Sequence, residues 1–299
     1  MKLAPVDYRV AESVEDLVDL LGELGDDAAI LAGGQSLVPS LNLRLSRPEV
    51  LVDINRLPDA GGIEEMDDGS LRLLPLTRHR QLERDARIAA DLPLVAKAMP
   101  HVAHVAIRNR GTVGGSLALG DPAAELPAVL TAYDARIVLR SRDETRRLPI
   151  RDFYTGLYAN ERRPDEYLAA IEVPPVPAGE RIAFGELARR CGDYALAGVA
   201  LRMRLDGDLV ADATLVLFGV ADRPVVVPDA AEICRGRSPD AALSRDLAEA
   251  SCQGWEPLSD PTTSAEARLH LTRVLVTRAV AAVVRGDGDA SRPAGDLLQ

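Results

Sequence analysis

A strand that runs straight into two glycines constrains this chain more than any other feature. Ala29-Ile30-Leu31-Ala32 is an apolar run that reads as a buried strand. Gly33-Gly34-Gln35-Ser36 interrupts it before a short helical pattern from Leu37 to Leu45, with Pro39 tolerable in the first turn. Glycines permit positive φ and close backbone approach, and the unpaired N–H groups at a helix start point at whatever sits there. Strand, glycine turn and helix start together make a place for an anion. Gly111-Thr112-Val113-Gly114-Gly115-Ser116-Leu117 repeats the chemistry. Such a pair of loops reads either as two ordinary turns or as two sides of a grip on a diphosphate, the shape of a dinucleotide site. The Rossmann pattern G-x-G-x-x-G and the P-loop pattern G-x-x-x-x-G-K-[ST] are both absent.

Bulk properties narrow the partners. A chain of 299 residues allows about two domains. A net charge of −11 argues against nucleic acid, and 3% aromatic content leaves few platforms for base stacking. No apolar run approaches a membrane span and the N-terminus has no signal-peptide core, so the expectation is a cytoplasmic protein. Cys191, Cys234 and Cys252 are far apart and form no C-x-x-C, which encodes neither an iron–sulfur cluster nor a structural zinc. They read as buried or idle thiols. His101 and His104 stand three apart, as metal ligands on a helix would, but two histidines make an incomplete shell, so no metal is expected.

In chain order, Val6–Val10 reads as a strand, Ser13 as the cap of a helix to Leu24, and Val50–Ile54 as a further strand of a β-α-β-type unit. A hairpin is expected around Asp67-Asp68-Gly69, a helix capped by Thr77, and another over 91–102. Asp121 followed by Pro122 reads as a helix start. Ala135–Leu139, Arg146–Ile150 and Leu168–Val173 read as strands, and the proline-rich stretch 174–179 as a boundary. Beyond it, three strands (182–188, 195–205 and 209–220) precede helices at 230–234, 239–252 and 265–284. The expectation is an α+β fold with mainly antiparallel sheet. Its parts are a first subdomain over 1–57, a second over 58–176, a C-terminal domain with a three-stranded antiparallel sheet over 177–286, and a flexible tail over 287–299.

Motif order adds more. Ala32-Gly33-Gly34-Gln35-Ser36-Leu37-Val38-Pro39, then Thr112-Val113-Gly114-Gly115-Ser116-Leu117, then Asp121-Pro122-Ala123-Ala124-Glu125-Leu126-Pro127, and finally Arg189-Arg190-Cys191-Gly192-Asp193-Tyr194-Ala195, stand in sequence. Together they resemble the FAD-binding medium subunit of the molybdenum hydroxylases, the aerobic carbon monoxide dehydrogenase and xanthine dehydrogenase group. The resemblance runs from Tyr8 to about Gly286. It implies a two-subdomain FAD-binding domain of the vanillyl-alcohol-oxidase (PCMH) type. It also implies partners: a large subunit with the molybdenum cofactor and a small one with two [2Fe–2S] clusters, assembled as a dimer of heterotrimers. The chain departs from the pattern at Gln35, where some relatives have His, at Ser116, where Asn is common, and at Glu125, often Asp. Gly185-Glu186 stands near where some relatives carry a lysine, so no cationic flavin contact is carried over there.

The site implied is non-covalent FAD held by Leu31, Ala32, Gly33, Gly34, Gln35, Ser36 and Leu37 and by Gly111, Thr112, Val113, Gly114, Gly115 and Ser116. Both loops are expected to offer backbone N–H groups and short hydroxyls to the pyrophosphate. The resemblance makes Glu125 a contact to the ribityl or adenosine part; the plainer alternative is a solvated first-turn helix acid. Ile171 either covers part of the cofactor or is ordinary core. Tyr194 either lies beside the isoalloxazine or is a structural tyrosine in a strand. Arg44 and Arg47 are left outside the site, and no residue is assigned a catalytic role. The function implied is electron transfer from the iron–sulfur subunit through FAD to an external acceptor. The rivals are a self-contained flavin oxidase or dehydrogenase of the same fold, and a non-catalytic nucleotide-binding module.

Overall fold

The computed structural model describes residues 3–177 and 179–292. The first unit contains β1 (Asp7–Val10), α1 (Val14–Leu24), β2 (Ala28–Leu31), α2 (Leu37–Asn42) and β3 (Val50–Asp53). Helical crossovers make its three-stranded sheet parallel, in the order β1-β3-β2. α1 begins where the Ser13 hydroxyl accepts from Asp16 N–H at 3.0 Å, and it turns Leu17, Val18 and Leu21 into the core. Each such side chain contributes roughly 1.5–3 kcal/mol by leaving water.

The second unit contains β4 (Ile63–Glu65), β5 (Leu71–Leu73), α3 (His79–Arg84), α4 (Ala86–Asp91), α5 (Pro93–Ala98), α6 (Val105–Arg108), α7 (Val113–Leu119) and α8 (Glu125–Ala132). β6 (Arg136–Arg140), β7 (Thr145–Pro149), α9 (Ile150–Phe153), β8 (Tyr154–Gly156), β9 (Ala159–Asn160) and β10 (Tyr167–Val173) complete it. The main sheet, β4-β5-β10-β6-β7, is antiparallel throughout. The third unit contains β11 (Glu180–Leu187), β12 (Ala197–Asp206), β13 (Leu209–Phe218), β14 (Val225–Val226), α10 (Ala230–Cys234), α11 (Ala241–Ala250) and α12 (Ala265–Arg285). Its antiparallel sheet is backed by α12, whose run Ala279–Val283 is wholly buried.

Three hydrophobic cores follow these units, with one overlap that matters for the site. Phe184, Ala195, Ala200, Val216 and Phe218 of the third unit join the core of the second, and Phe184 stacks on Phe218 at 5.8 Å between centroids. The third sheet is thereby locked against α8 and the segment before it.

Several local expectations change. The C-terminal sheet has four strands, not three, because Val225–Val226 adds to the edge of β13 by pairing with Val216 and Leu217. The helix expected over 37–45 stops at Asn42, since Arg44 adopts φ 59°. Pro93 divides the helical region 86–98 into two pieces and opens the second as its first residue. The helix expected from Pro122 begins at Glu125. Asp121 instead accepts from Ala123 N–H at 2.9 Å and forms a local turn. Thr77 caps no helix; its hydroxyl accepts from Gly62 N–H and donates to Gly62 O, at 2.9 and 2.7 Å. Part of the expected flexible tail is ordered: Phe184 N–H donates to Gly288 O, Ala290 N–H donates to Phe184 O, and Ala290 is buried. The remainder, 293–299, lies outside the described residues.

Candidate cofactor site

The first glycine loop leaves β2 at Leu31 and is held from below by side chains. Asn55 Nδ2 donates to Ala32 O at 2.8 Å, and Asp53 fixes Asn55 by accepting from its backbone N–H at 2.8 Å. Tyr8 donates to the other Asp53 oxygen at 2.5 Å. Gln35 Nε2 folds back to Gly33 O at 3.0 Å, and Gly34 takes φ +71°, a conformation glycine adopts without steric cost. Among the described residues, the backbone N–H groups of Gly33, Gly34, Gln35 and Ser36 have no protein acceptor. Ser36 occupies the N-cap position of α2 without capping it. Four consecutive unclaimed amides form a concave donor set for an anion. As α2 has six residues, the amides themselves carry this attraction rather than a long helix dipole.

The second loop differs from the expectation. Val113 N–H donates to Thr77 O at 2.9 Å, Gly114 N–H to Pro75 O at 2.9 Å and Ser116 N–H to Thr112 O at 3.0 Å. Gly115 N–H donates to the Thr112 hydroxyl at 3.2 Å. The amides from Val113 to Ser116 are therefore spent on the fold and are not spare donors for a pyrophosphate. His79 fastens this loop twice, by its N–H to Gly111 O and by Nε2 to Thr112 O, both at 3.0 Å. Burial pushes the His79 imidazole down to about 4, so it is neutral, with its proton on Nε2.

The two loops touch. A Cβ on Gly33 would stand 2.4 Å from Arg110 O, so only glycine permits this approach. Arg78 bridges the seam, donating from NH1 to Arg110 O at 2.5 Å and from NH2 to Asn55 Oδ1 at 2.8 Å. Partial burial, then the charge of Arg110, lowers the Arg78 guanidinium. Two like charges beside unclaimed amides favour a doubly anionic ligand, and a diphosphate fits this donor set. Gly114 and Gly115 are explained by packing: their Cβ positions would meet Pro75 at 2.8 Å and Thr112 Oγ1 at 2.8 Å.

From the second loop, α7 leads to the turn at Asp121 and the start of α8. Glu125, the first residue of α8, is buried rather than solvated. Its carboxyl is pushed up to about 8 by burial, reinforced by the charges of Glu186 and Asp121. Tyr194, from the loop between β11 and β12, is 75% exposed and lies outside any strand. Partial desolvation, then the charges of Asp121 and Glu125, raise its hydroxyl, which is within electrostatic range of this acidic turn. Tyr158, also exposed, donates to Asp121 Oδ2 at 3.3 Å. Two exposed phenol rings at one place offer apolar faces that a flat ligand ring would cover.

The structure thus brings together Leu31 to Leu37 and Gly111 to Ser116, and it sets Glu125 and Tyr194 at the far end of α7. Ile171 shares a core with Val113 and Leu117. It is wholly buried in the sheet, opposite Leu73 and Ile137, so core packing accounts for it. His101 and His104 do not share a helix: His101 lies in a turn and His104 precedes α6. Among the described residues no group of three or more His, Cys, Asp or Glu could hold a metal ion. Cys191 is exposed, Cys234 buried and Cys252 intermediate, and all three are free thiols. Asn55, Arg78, Tyr158 and the loop-fastening role of His79 escaped sequence reasoning, because their partners are 23 to 37 residues away. The available signal was that Asn55 directly follows the strand parallel to β2.

Comparison with known proteins bears on this geometry. Residues 4–176 match the family described as the FAD binding domain in molybdopterin dehydrogenase, and residues 182–283 match the CO dehydrogenase flavoprotein C-terminal domain. The chain is 39% identical over 282 residues to the 6-hydroxypseudooxynicotine dehydrogenase complex subunit alpha of Paenarthrobacter nicotinovorans, covering 94% of this chain and 95% of that protein. It superposes with a TM-score of 0.92 and 34% identity on a chain of the carbon monoxide dehydrogenase of Hydrogenophaga pseudoflava, covering 96% and 99%. Against a chain of quinoline 2-oxidoreductase from Pseudomonas putida 86 the TM-score is 0.91 at 33% identity, covering 96% and 100%. Among the described residues no helix is long and apolar enough to cross a membrane. With both domains matched in order along nearly its whole length, the chain belongs to the FAD-binding flavoprotein subunits of the molybdenum hydroxylases.

Proposed function

We propose that this chain is the medium, electron-transferring subunit of a cytoplasmic molybdenum hydroxylase. Its FAD pyrophosphate lies on the four unclaimed amides of Gly33 to Ser36, beside Arg78 and Arg110. That donor set is the observation that carries the reading. An FAD held there would supply the redox chemistry that links an iron–sulfur partner to an external acceptor. The chain's own residues bind and orient. The first loop holds the anion, Arg78 and Asn55 keep the two loops together, His79 keeps the second loop in place, and Tyr194 with Tyr158 covers the ring system.

The partners are a large subunit with the molybdenum cofactor and a small [2Fe–2S] subunit, in a dimer of heterotrimers. We place the subdomain borders after residue 57 and after residue 176. Anaerobic stopped-flow at the flavin band tests the reading against a self-contained oxidase. The isolated holo-chain should be bleached by dithionite and by no organic donor, and substrate-driven bleaching should appear only when the two partner subunits are added. Rapid bleaching of the isolated chain by a small organic substrate would overturn it.

A further inference from the structure

Tyr194 stands on a stretch with little of its own to hold it. Residues 188–196, between β11 and β12, contain no helix or strand, and Arg189, Arg190, Cys191, Asp193 and Tyr194 are all exposed. Connections of this kind are ordinarily the mobile parts of a fold. Here the loop is tied down at three places. Near its start, Arg189 donates to Thr262 O at 3.3 Å. In its middle, Gly192 takes φ +81° and lies close against the turn before α6. A Cβ there would stand 2.8 Å from the His104 ring and 2.9 Å from Ala103 O. At its end, Leu196 donates its N–H to Leu187 O at 2.8 Å and accepts from Arg268 NH1 at 2.6 Å.

Arg268 connects these ties. It lies near the start of α12 and is buried. NH1 donates to Gly219 O as well as to Leu196 O, and NH2 pairs with Asp260 Oδ2. Asp260 in turn accepts from the N–H groups of Thr262 and Thr263 at 2.7 and 3.1 Å, which fixes the same turn that receives Arg189. Gly219, at φ +71°, presses on the loop root, where a Cβ would meet Ala195 O at 2.7 Å. Its N–H donates to Pro122 O, also at 2.7 Å. One guanidinium thus joins the root of the Tyr194 loop to the end of β13 and, through Gly219, to the turn at Asp121. Stability alone does not call for an arginine there, because a buried ion pair is often no better than apolar packing of the same volume. Arginine adds a rigid, planar fork whose donors reach acceptors on three segments in a fixed geometry.

We propose that Arg268 is a positioning residue: by holding Leu196 O and Gly219 O it fixes Tyr194 in place before any ligand arrives, with Gly192 as the second anchor. Tyr194 is then a standing wall of the ring site and not a lid that swings over it. What the wall faces rests on the FAD reading above; whether it stands is a property of the apo-chain. A preformed wall loses no freedom when a flat ring docks, which strengthens binding.

Nitrogen-15 relaxation on the apo-chain tests this. The Tyr194 amide should have an order parameter of about 0.85, the value of rigid backbone, and should fall below about 0.6 in Arg268→Met and in Gly192→Ala. Amides at the centre of β12 should stay rigid in both variants. An order parameter reports motion within the folded state, so a merely structural contribution to stability would not move it. Gly192→Ala leaves Arg268 and its carbonyl partners in place, and it decides the matter if Arg268→Met fails to fold. Fluorescence titration with FAD should show affinity at least fivefold weaker in both variants. A Tyr194 amide already mobile in the wild type would overturn the proposal, as would one that stays rigid in Gly192→Ala or in a folded Arg268→Met. Loosening of Tyr194 with FAD affinity unchanged would overturn it too. A wild-type chain that takes up no FAD would instead remove the function proposed above and leave the anchoring of Tyr194 standing.

Discussion

Replacing Gly33 by alanine tests the seam between the two loops most directly. The added Cβ would lie 2.4 Å from Arg110 O and 3.0 Å from Arg110 C and Gly111 Cα, all backbone atoms that cannot rotate away. Restoring an ordinary contact separates the loops by roughly 1 Å. Overpacking of this kind costs about 1–3 kcal/mol. The same movement stretches the Arg78 bond that crosses the seam, from Nη2 to Asn55 Oδ1, from 2.8 Å past the edge of hydrogen-bonding distance. A charge-assisted bond of this sort is worth about 1.5–3 kcal/mol, so a total loss near 3 kcal/mol is expected. Urea unfolding of the apo-protein should show the lower midpoint, and fluorescence titration should show FAD affinity reduced at least tenfold. Gly22→Ala is the control: in α1 its Cβ would meet nothing within 4 Å, and the helix should gain up to ~1 kcal/mol. If Gly33→Ala unfolds with wild-type stability and binds FAD as tightly, the loops do not meet as described and the reasoning fails.

Three further outcomes are expected. His79 has its folded-state value lowered to about 4 from 6.5, so the unfolded chain takes up the proton first and stability is lost as pH falls from 6.5 towards 4. FAD release, followed by flavin fluorescence, should rise across that window, and a flat profile would contradict the buried, neutral imidazole. Glu125 is raised from 4.5 to about 8, so its contribution is full below 4.5 and lost as pH rises towards 8. Apo-protein carrying Glu125→Gln should therefore be more stable than wild type at pH 8.5, by on the order of 2 kcal/mol or more, and indistinguishable from it near pH 4. Gln35 and Ser36 offer no histidine or cysteine for flavin attachment, so acid precipitation should release all of the flavin, with none of the colour left in the pellet.

Much of this protein is legible in its residues. Local order explains why: Ser13 caps α1, and Gly207-Asp208 turns the long hairpin. Glu125 was singled out by motif, and the structure keeps it at the turn but reverses its environment from solvated to buried. Burial depends on what another chain segment brings, here β12 and β13, which pack on α8 from beyond residue 196.

The sequence by itself determined where the chain turns and which family the ordered motifs match, because each is encoded within a few consecutive residues. Tertiary structure alone decided the division of labour between the loops. Both look alike as Gly-Gly motifs, yet Pro75 and Thr77 consume the amides of the second and leave the first as the donor set. It alone decided that Arg78 and Asn55 join the loops, that Ile171 belongs to the core, and that His101 meets Glu186 of β11. Hydrogen bonds between distant residues leave no periodic trace in a sequence, since only the packed chain brings their partners within reach.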